Sequence, residues 1–171
     1  KNTGLTIKNG KKVLYEDFGE MMFTHFGVTG PMILSASARI GAKLAKAPNG
    51  ELTAYLDLKP ALTREQLDAR ILREFEAGPN KQFKNVIGVL FPSSLTPVML
   101  ELGGIPAEKK IHDISREERQ HFIDLIKAFP FTITGMGEFK EAIITKGGVS
   151  VKEINPGTME SKKISGLYFA G

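Results

Sequence analysis

The side chain best suited to acid–base chemistry is His25, in the run Phe23-Thr24-His25-Phe26-Gly27. An unperturbed imidazole is the side chain that titrates near neutrality, so His25 is a candidate general acid/base or substrate contact, with the Thr24 hydroxyl beside it. No serine, cysteine or carboxylate stands at a recognised catalytic spacing from it, and the plainer reading is a hydrogen-bonded histidine that holds the adjoining turn. His112 and His121 lie in a charged, solvated stretch and read as structural. Gly27-Val28-Thr29-Gly30-Pro31 precedes a helical pattern and could aim amide N–H groups at an anion. It lacks the lysine of a P-loop and the third glycine of a dinucleotide fingerprint, so a bare strand-to-helix turn in which Gly27 needs positive φ is the simpler account. Gly147-Gly148 and Gly166 to Gly171 are places where a backbone could approach a ligand closely. Lys109-Lys110 and Lys162-Lys163 read as solvated faces.

These residues must be positioned by elements that the sequence outlines. Leu5 and Ile7, then Val13 and Tyr15, flank Asn9-Gly10, a hairpin signal in which both residues would take positive φ in a type I′ turn. Met21 to Phe26 reads as a third strand, Pro31 starts a short helix carrying Ile33, Leu34 and Ile40, and Leu52, Ala54, Leu56 and Leu58 alternate as a fourth strand after a turn at Pro48-Asn49-Gly50. Between Pro60 and Phe129 the apolar period changes from two to about 3.6 residues. Thr63/Gln66 and Ser115/Glu118 are capping boxes, Asn80 can cap a second helix, and Ser93 to Thr96 with Pro97 open a third that Gly103-Gly104 closes. The inward faces are Leu67, Ile71, Leu72 and Phe75, then Phe83, Val86, Ile87 and Leu90, then Phe122, Ile123, Ile126 and Phe129. Strands return at Phe131 to Thr134 and Glu141 to Thr145. The fold class expected is α+β: a six-stranded antiparallel barrel over residues 1–59 and 130–147, with a small helical bundle over 60–129 inserted between strands, and a return segment over 148–171. Closing the sheet would remove its edges.

Composition narrows the function. In 171 residues, 42% are hydrophobic and 25% charged, which suffices for a core and excludes wholesale disorder. No apolar run nears the roughly 20 residues of a membrane helix. Lys+Arg exceed Asp+Glu by 23 to 19, so the net charge is +4, with no long basic block. That permits polyanion binding without indicating it, and the partners expected exclude nucleic acid and membrane. With no cysteine and three histidines, no metal site is expected. The absence of cysteine fits a reducing cytoplasm. A start at Lys1-Asn2-Thr3 without initiator methionine reads as a fragment of a longer chain.

Several long motifs occur together: Gly19-Glu20-Met21-Met22-Phe23-Thr24-His25-Phe26-Gly27-Val28-Thr29-Gly30-Pro31, Thr132-Ile133-Thr134-Gly135, Phe139 to Thr145, Gly147-Gly148-Val149, Glu153-Ile154-Asn155-Pro156, Thr158-Met159-Glu160-Ser161 and Gly166-Leu167-Tyr168-Phe169-Ala170-Gly171. In this order they resemble the YhiN or BaiN type of bacterial NAD(P)/FAD-dependent oxidoreductases, which includes enzymes described as aminoacetone oxidases. The helical middle resembles that family loosely, and Ser165 stands where the family often has proline. The resemblance implies an FAD domain interrupted by a translation-factor-like β-barrel that itself contains a small helical domain. The family's N-terminal glycine fingerprint for the FAD pyrophosphate has no counterpart here. The resemblance therefore implies an insert domain shaping the substrate side of the flavin, inactive alone, with the FAD-binding domain of the same polypeptide as partner and a small molecule as substrate. It also implies that Gly147, Gly148, Val149, Ala170 and Gly171 face the cofactor, which this segment would not retain by itself. No catalytic role transfers to Thr24 or His25. Two other classes stay open: a free-standing barrel that binds RNA or protein, and a small hydrolase using His25.

Overall fold

The computed structural model describes residues 2–138 and 148–170. Asn9-Gly10 marks a hairpin as expected: β1 (Asn2–Asn9) and β2 (Lys12–Glu20) pair antiparallel with Asn9 opposite Lys12. The loop is shifted by one residue, however, so its central residues are Gly10 and Lys11, and of these Gly10 alone has positive φ, at 55°. A β-bulge between Ile7 and Lys8 leaves Leu14 without a register partner.

The expected third strand does not join this sheet. Met22–Thr24 (β3) pairs with Gly27–Thr29 (β4), so the stretch read as a turn is half of a second, two-stranded hairpin with His25 and Phe26 at its tip. Gly30 then ends β4 at φ 114°. A Cβ there would lie 2.9 Å from Met21 Cα and 3.0 Å from the Glu20 carbonyl oxygen, so only glycine fits the turn. Gly27 has φ 159° and open space at its Cβ position.

Pro31 at the first turn opens α1 (Pro31–Leu44), longer than expected. Its buried stripe is Met32, Ala36, Ile40 and Leu44, an i, i+4 series that lies against β2, whereas Ile33 and Leu34 are half-buried. After the turn at Pro48–Gly50, where Asn49 and Gly50 both have positive φ, β5 (Leu52–Asp57) buries Leu52, Ala54 and Leu56. It pairs with β1 on one side and β6 (Phe129–Ile133) on the other, giving an all-antiparallel order β2-β1-β5-β6. In the described residues β2 and β6 are the edges of a four-stranded sheet, and the strand expected at Glu141 to Thr145 lies outside them.

Between the paired strands β5 and β6 run α2 (Arg64–Glu76), α3 (Phe83–Ile87), α4 (Thr96–Leu102) and α5 (Arg116–Lys127). Both capping boxes form: Thr63 Oγ1 accepts from Gln66 N–H and Ser115 Oγ from Glu118 N–H, while Gln66 and Glu118 bond back. Gln82, rather than Asn80, stands at the start of α3 without a side-chain cap, because its neighbours are held by Phe83 N–H to Lys109 O and Ile111 N–H to Lys81 O. The expected inward faces are buried, with Leu72 only half so and Phe129 already in β6. Phe75, Phe83, Phe122 and Phe91 meet edge-to-face at 5.2 to 6.3 Å between ring centroids, with Phe122 touching two of the others.

The chain forms two compact units, residues 1–136 and 137–171. Within the second, a short helical turn at Val151–Glu153 leads to bridges pairing Ile154 with Ser161 and Glu160 with Tyr168. The Glu160 carboxylate accepts from Gly166 N–H at 2.7 Å, and Lys163 pairs with Glu153 at 2.7 Å.

Candidate functional site

The β3–β4 hairpin is three residues long on each side, too short to bury its own side chains. Met22, Phe23 and Phe26 are therefore 63%, 50% and 70% exposed, three large apolar groups within five residues. Such a patch marks an interaction or ligand surface, since scattered exposed apolar residues do not cluster this way. Phe23 is anchored edge-on to Phe129 of β6 at 6.3 Å, and the His25 ring lies edge-on to Phe26 at 4.8 Å.

His25 is exposed and makes no hydrogen bond among the described residues, which removes the reading of a hydrogen-bonded histidine holding the turn. It also lacks the carboxylate or hydroxyl partner a hydrolytic dyad requires. Thr24 Oγ1 is buried without a hydrogen-bond partner, a state that costs about 1–3 kcal/mol until a partner arrives. His112, by contrast, is structural: its Nδ1 lies 2.9 Å from the Pro79 carbonyl oxygen.

Behind the hairpin, Tyr15 donates to Asp17 at 2.5 Å, and Asp17 also accepts from Phe18 N–H at 2.8 Å. Burial first, and the Asp17 carboxylate second, push the Tyr15 hydroxyl up to about 12. The Tyr15 hydrogen bond and then the Phe18 amide hold Asp17 below the usual carboxylate range. Arg39 of α1 lies 5.9 Å from the Tyr15 ring, so this cluster fastens α1 to β2. On the other face of the sheet an open groove contains Thr6, Lys8, Glu16, Tyr55, Asp57 and Lys127. There Lys127 pairs with Asp57 and also bonds the Lys59 and Leu62 carbonyls, locking the end of α5 to the exit from β5.

The residues expected at a cofactor fall in the other unit. Gly148, at φ 128° with open space at its Cβ position, Val149 and Ala170 are exposed there, while Gly147 and Gly171 lie outside the described residues. Thr24 and His25 belong to the first unit. The pyrophosphate of FAD needs a glycine-rich turn that leaves a helix start open, and the start of α1 does not offer one, because Gly30 is packed on the Glu20–Met21 backbone. Among the described residues no group of three His, Asp or Glu is placed to hold a metal ion, and no helix is long and apolar enough to cross a membrane.

Sequence reasoning passed over one cluster: Lys11, Lys12, Lys43 and Lys46 gather at the end of the sheet away from the β3–β4 tip. The Asn9-Gly10 signal could have placed Lys11 and Lys12 together, whereas the α1 lysines reach them only through tertiary packing.

Comparison with known proteins agrees with the motifs. The chain is 29% identical over 154 residues to a ribosomal RNA dihydrouridine synthase of Haemophilus influenzae, covering 90% of this chain and 35% of that protein. It is 28% identical over 162 residues to a 3-dehydro-bile acid delta(4,6)-reductase of Clostridium scindens, covering 95% and 39%. With a ribosomal RNA dihydrouridine synthase of Escherichia coli it shares 29% over 167 residues, covering 98% and 38%. The chain thus spans less than two fifths of each of these relatives. Residues 1–144 match the family described as HI0933-like protein barrel and H2TH domain, and the chain belongs to that family, as its YhiN/BaiN-type motifs anticipated.

Proposed function

We propose that this chain is the insert domain of a flavin-dependent reductase that saturates a carbon–carbon double bond, and that the β3–β4 tip covers the substrate side of a flavin bound by the rest of the polypeptide. The carrying observation is that tip: Met22, Phe23 and Phe26 exposed together, with His25 unbonded and the Thr24 hydroxyl short of a partner. An apolar cover excludes water, and the free, exposed imidazole can meet the polar atoms of a substrate. In such enzymes the flavin supplies hydride chemistry and the protein supplies position and electrostatics. The activities named for the relatives, dihydrouridine synthesis and delta(4,6) reduction, are both reductions of a carbon–carbon double bond. Two of the three act on ribosomal RNA by name, and we take RNA as the substrate, in place of the small molecule that the resemblance implied.

In the full-length protein, Phe26→Ser should lower kcat/KM about tenfold or more while the bound flavin per protein stays constant, because the tip meets the substrate and leaves the phosphate-holding part untouched. Unchanged turnover would reject the placement, and loss of flavin would assign the tip to cofactor binding. The present chain alone should bind FAD no better than about millimolar, a few kcal/mol, and be colourless. Micromolar binding in a fluorescence titration would mean that the insert carries a flavin site of its own.

A further inference from the structure

We propose that the lysine-rich end of the sheet is a docking surface for the phosphate backbone of RNA. The choice of RNA rests on the reading above; the surface itself rests on where the charges sit. Lys11 lies in the turn after β1 and Lys12 starts β2. Lys43 Nζ donates to the Leu14 carbonyl at 3.4 Å, which brings the last turn of α1 beside β2, and Lys46 N–H bonds to Lys43 O one turn further on. Lys8 lies on the other face of the sheet, its ammonium 5.1 Å from the Tyr55 ring centroid, and is not part of this surface.

Among the described residues none of Lys11, Lys12, Lys43 and Lys46 is ion-paired. In the helical segment Arg64, Lys84, Lys109, Arg119 and Lys127 each pair with a carboxylate, whereas Arg70, Arg73, Lys81, Lys110 and Arg116 have no ion pair among the described residues. Four cations without a carboxylate partner among the described residues thus share one end of the sheet. Lysines on a hairpin turn and an adjoining helix end form a multidentate cation surface, which suits a chain of phosphates better than a single small anion. Geometry adds a use. β2 has the lysines at its start and leads to the β3–β4 hairpin beyond its end, and its eight residue steps put its own two ends about 26 Å apart. An RNA held at the lysines could present a nucleotide several positions away at the tip.

The test is equilibrium binding of this chain to a fluorescein-labelled, mixed-sequence single-stranded RNA across a salt series, which needs neither flavin nor turnover. A failure of the reductase reading therefore leaves this measurement intact. Lys11→Gln, Lys12→Gln, Lys43→Gln and Lys46→Gln together should weaken binding about tenfold or more at low salt and flatten the log–log salt slope by about 3. The matching Lys→Arg quartet should retain the affinity, which separates charge from folding. A control quartet on the helical segment, Lys81→Gln, Lys84→Gln, Lys110→Gln and Arg116→Gln, removes the same charge elsewhere and should change affinity less than threefold, a small effect beside the first quartet. Equal losses in both Gln quartets, no detectable RNA binding by the parent chain, or tighter binding to phosphatidylserine vesicles than to RNA would each overturn the proposal.

Discussion

Gly30 illustrates how a single missing side chain sets a junction. With φ 114° and the Met21 Cα 2.9 Å from its Cβ position, Gly30→Ala should destabilise the chain by about 2–3 kcal/mol in urea unfolding. Gly27→Ala, with open space at the corresponding position, should cost less, and the reverse order would show that the turn is held differently. Tyr15 provides a pH signature. Its folded-state value, about 12, lies above the ordinary value of 10.0, so its contribution is complete below pH 10 and lost as pH rises from about 10 to 12. Tyr15→Phe should remove that alkaline loss relative to the parent chain. Asp17 has the opposite sign: held below the ordinary 3.8, it contributes above that pH and loses its contribution as the solution is acidified through its folded-state value.

At the scale of elements, α5 is the helix on which the helical segment depends. Its start is fixed by Ser115 and Glu118, and Lys109 reaches the same Glu118 carboxylate at 2.6 and 2.8 Å. That ion pair first, and the Ser115 amide second, keep Glu118 below the usual glutamate range. Ser115→Ala should therefore cost about 1 kcal/mol through the lost cap, read as a lower urea midpoint at unchanged m. An effect below a few tenths would mean that the Lys109 contact alone holds the start. The β3–β4 hairpin stands at the other extreme, two three-residue strands with most of their apolar surface in water. Its stability comes from the Phe23–Phe129 contact and the packing of Gly30, which leaves the tip free to meet a partner.

For the whole molecule, the insertion of helices between β5 and β6 has a simple consequence. Leu56 pairs directly with Phe129, so the two strand ends are adjacent once the helices are set aside. Replacing residues 59–127 by a short Gly/Ser linker should leave a sheet with cooperative thermal unfolding, at a lowered Tm because α5 packs on β5 and β6. Loss of all cooperativity would mean that sheet and helices form a single folding unit, as their continuous buried cluster would then require.

Sequence alone determined those features whose cause lies within a few residues. The Thr63/Gln66 and Ser115/Glu118 boxes, Pro31 at a helix start and the alternation Leu52, Ala54, Leu56 are local satisfactions of backbone groups and burial, so they survived folding unchanged. The family motifs were legible for the same reason, as contiguous strings. Tertiary structure decided what depends on distant partners. Met21 to Phe26 could read as one strand of the main sheet, but β1 accepts only β2 and β5 as neighbours, and β3 finds its hydrogen bonds in β4. His25 read as a turn-holding histidine because nothing in its neighbourhood shows whether an acceptor will come within reach; none does among the described residues. The lysine end exists only because α1 returns along β2, bringing Lys43 and Lys46 to Lys11 and Lys12 some 30 residues earlier. Net charge is a property of composition, whereas a surface that can hold a polyanion is a property of how the chain folds back on itself.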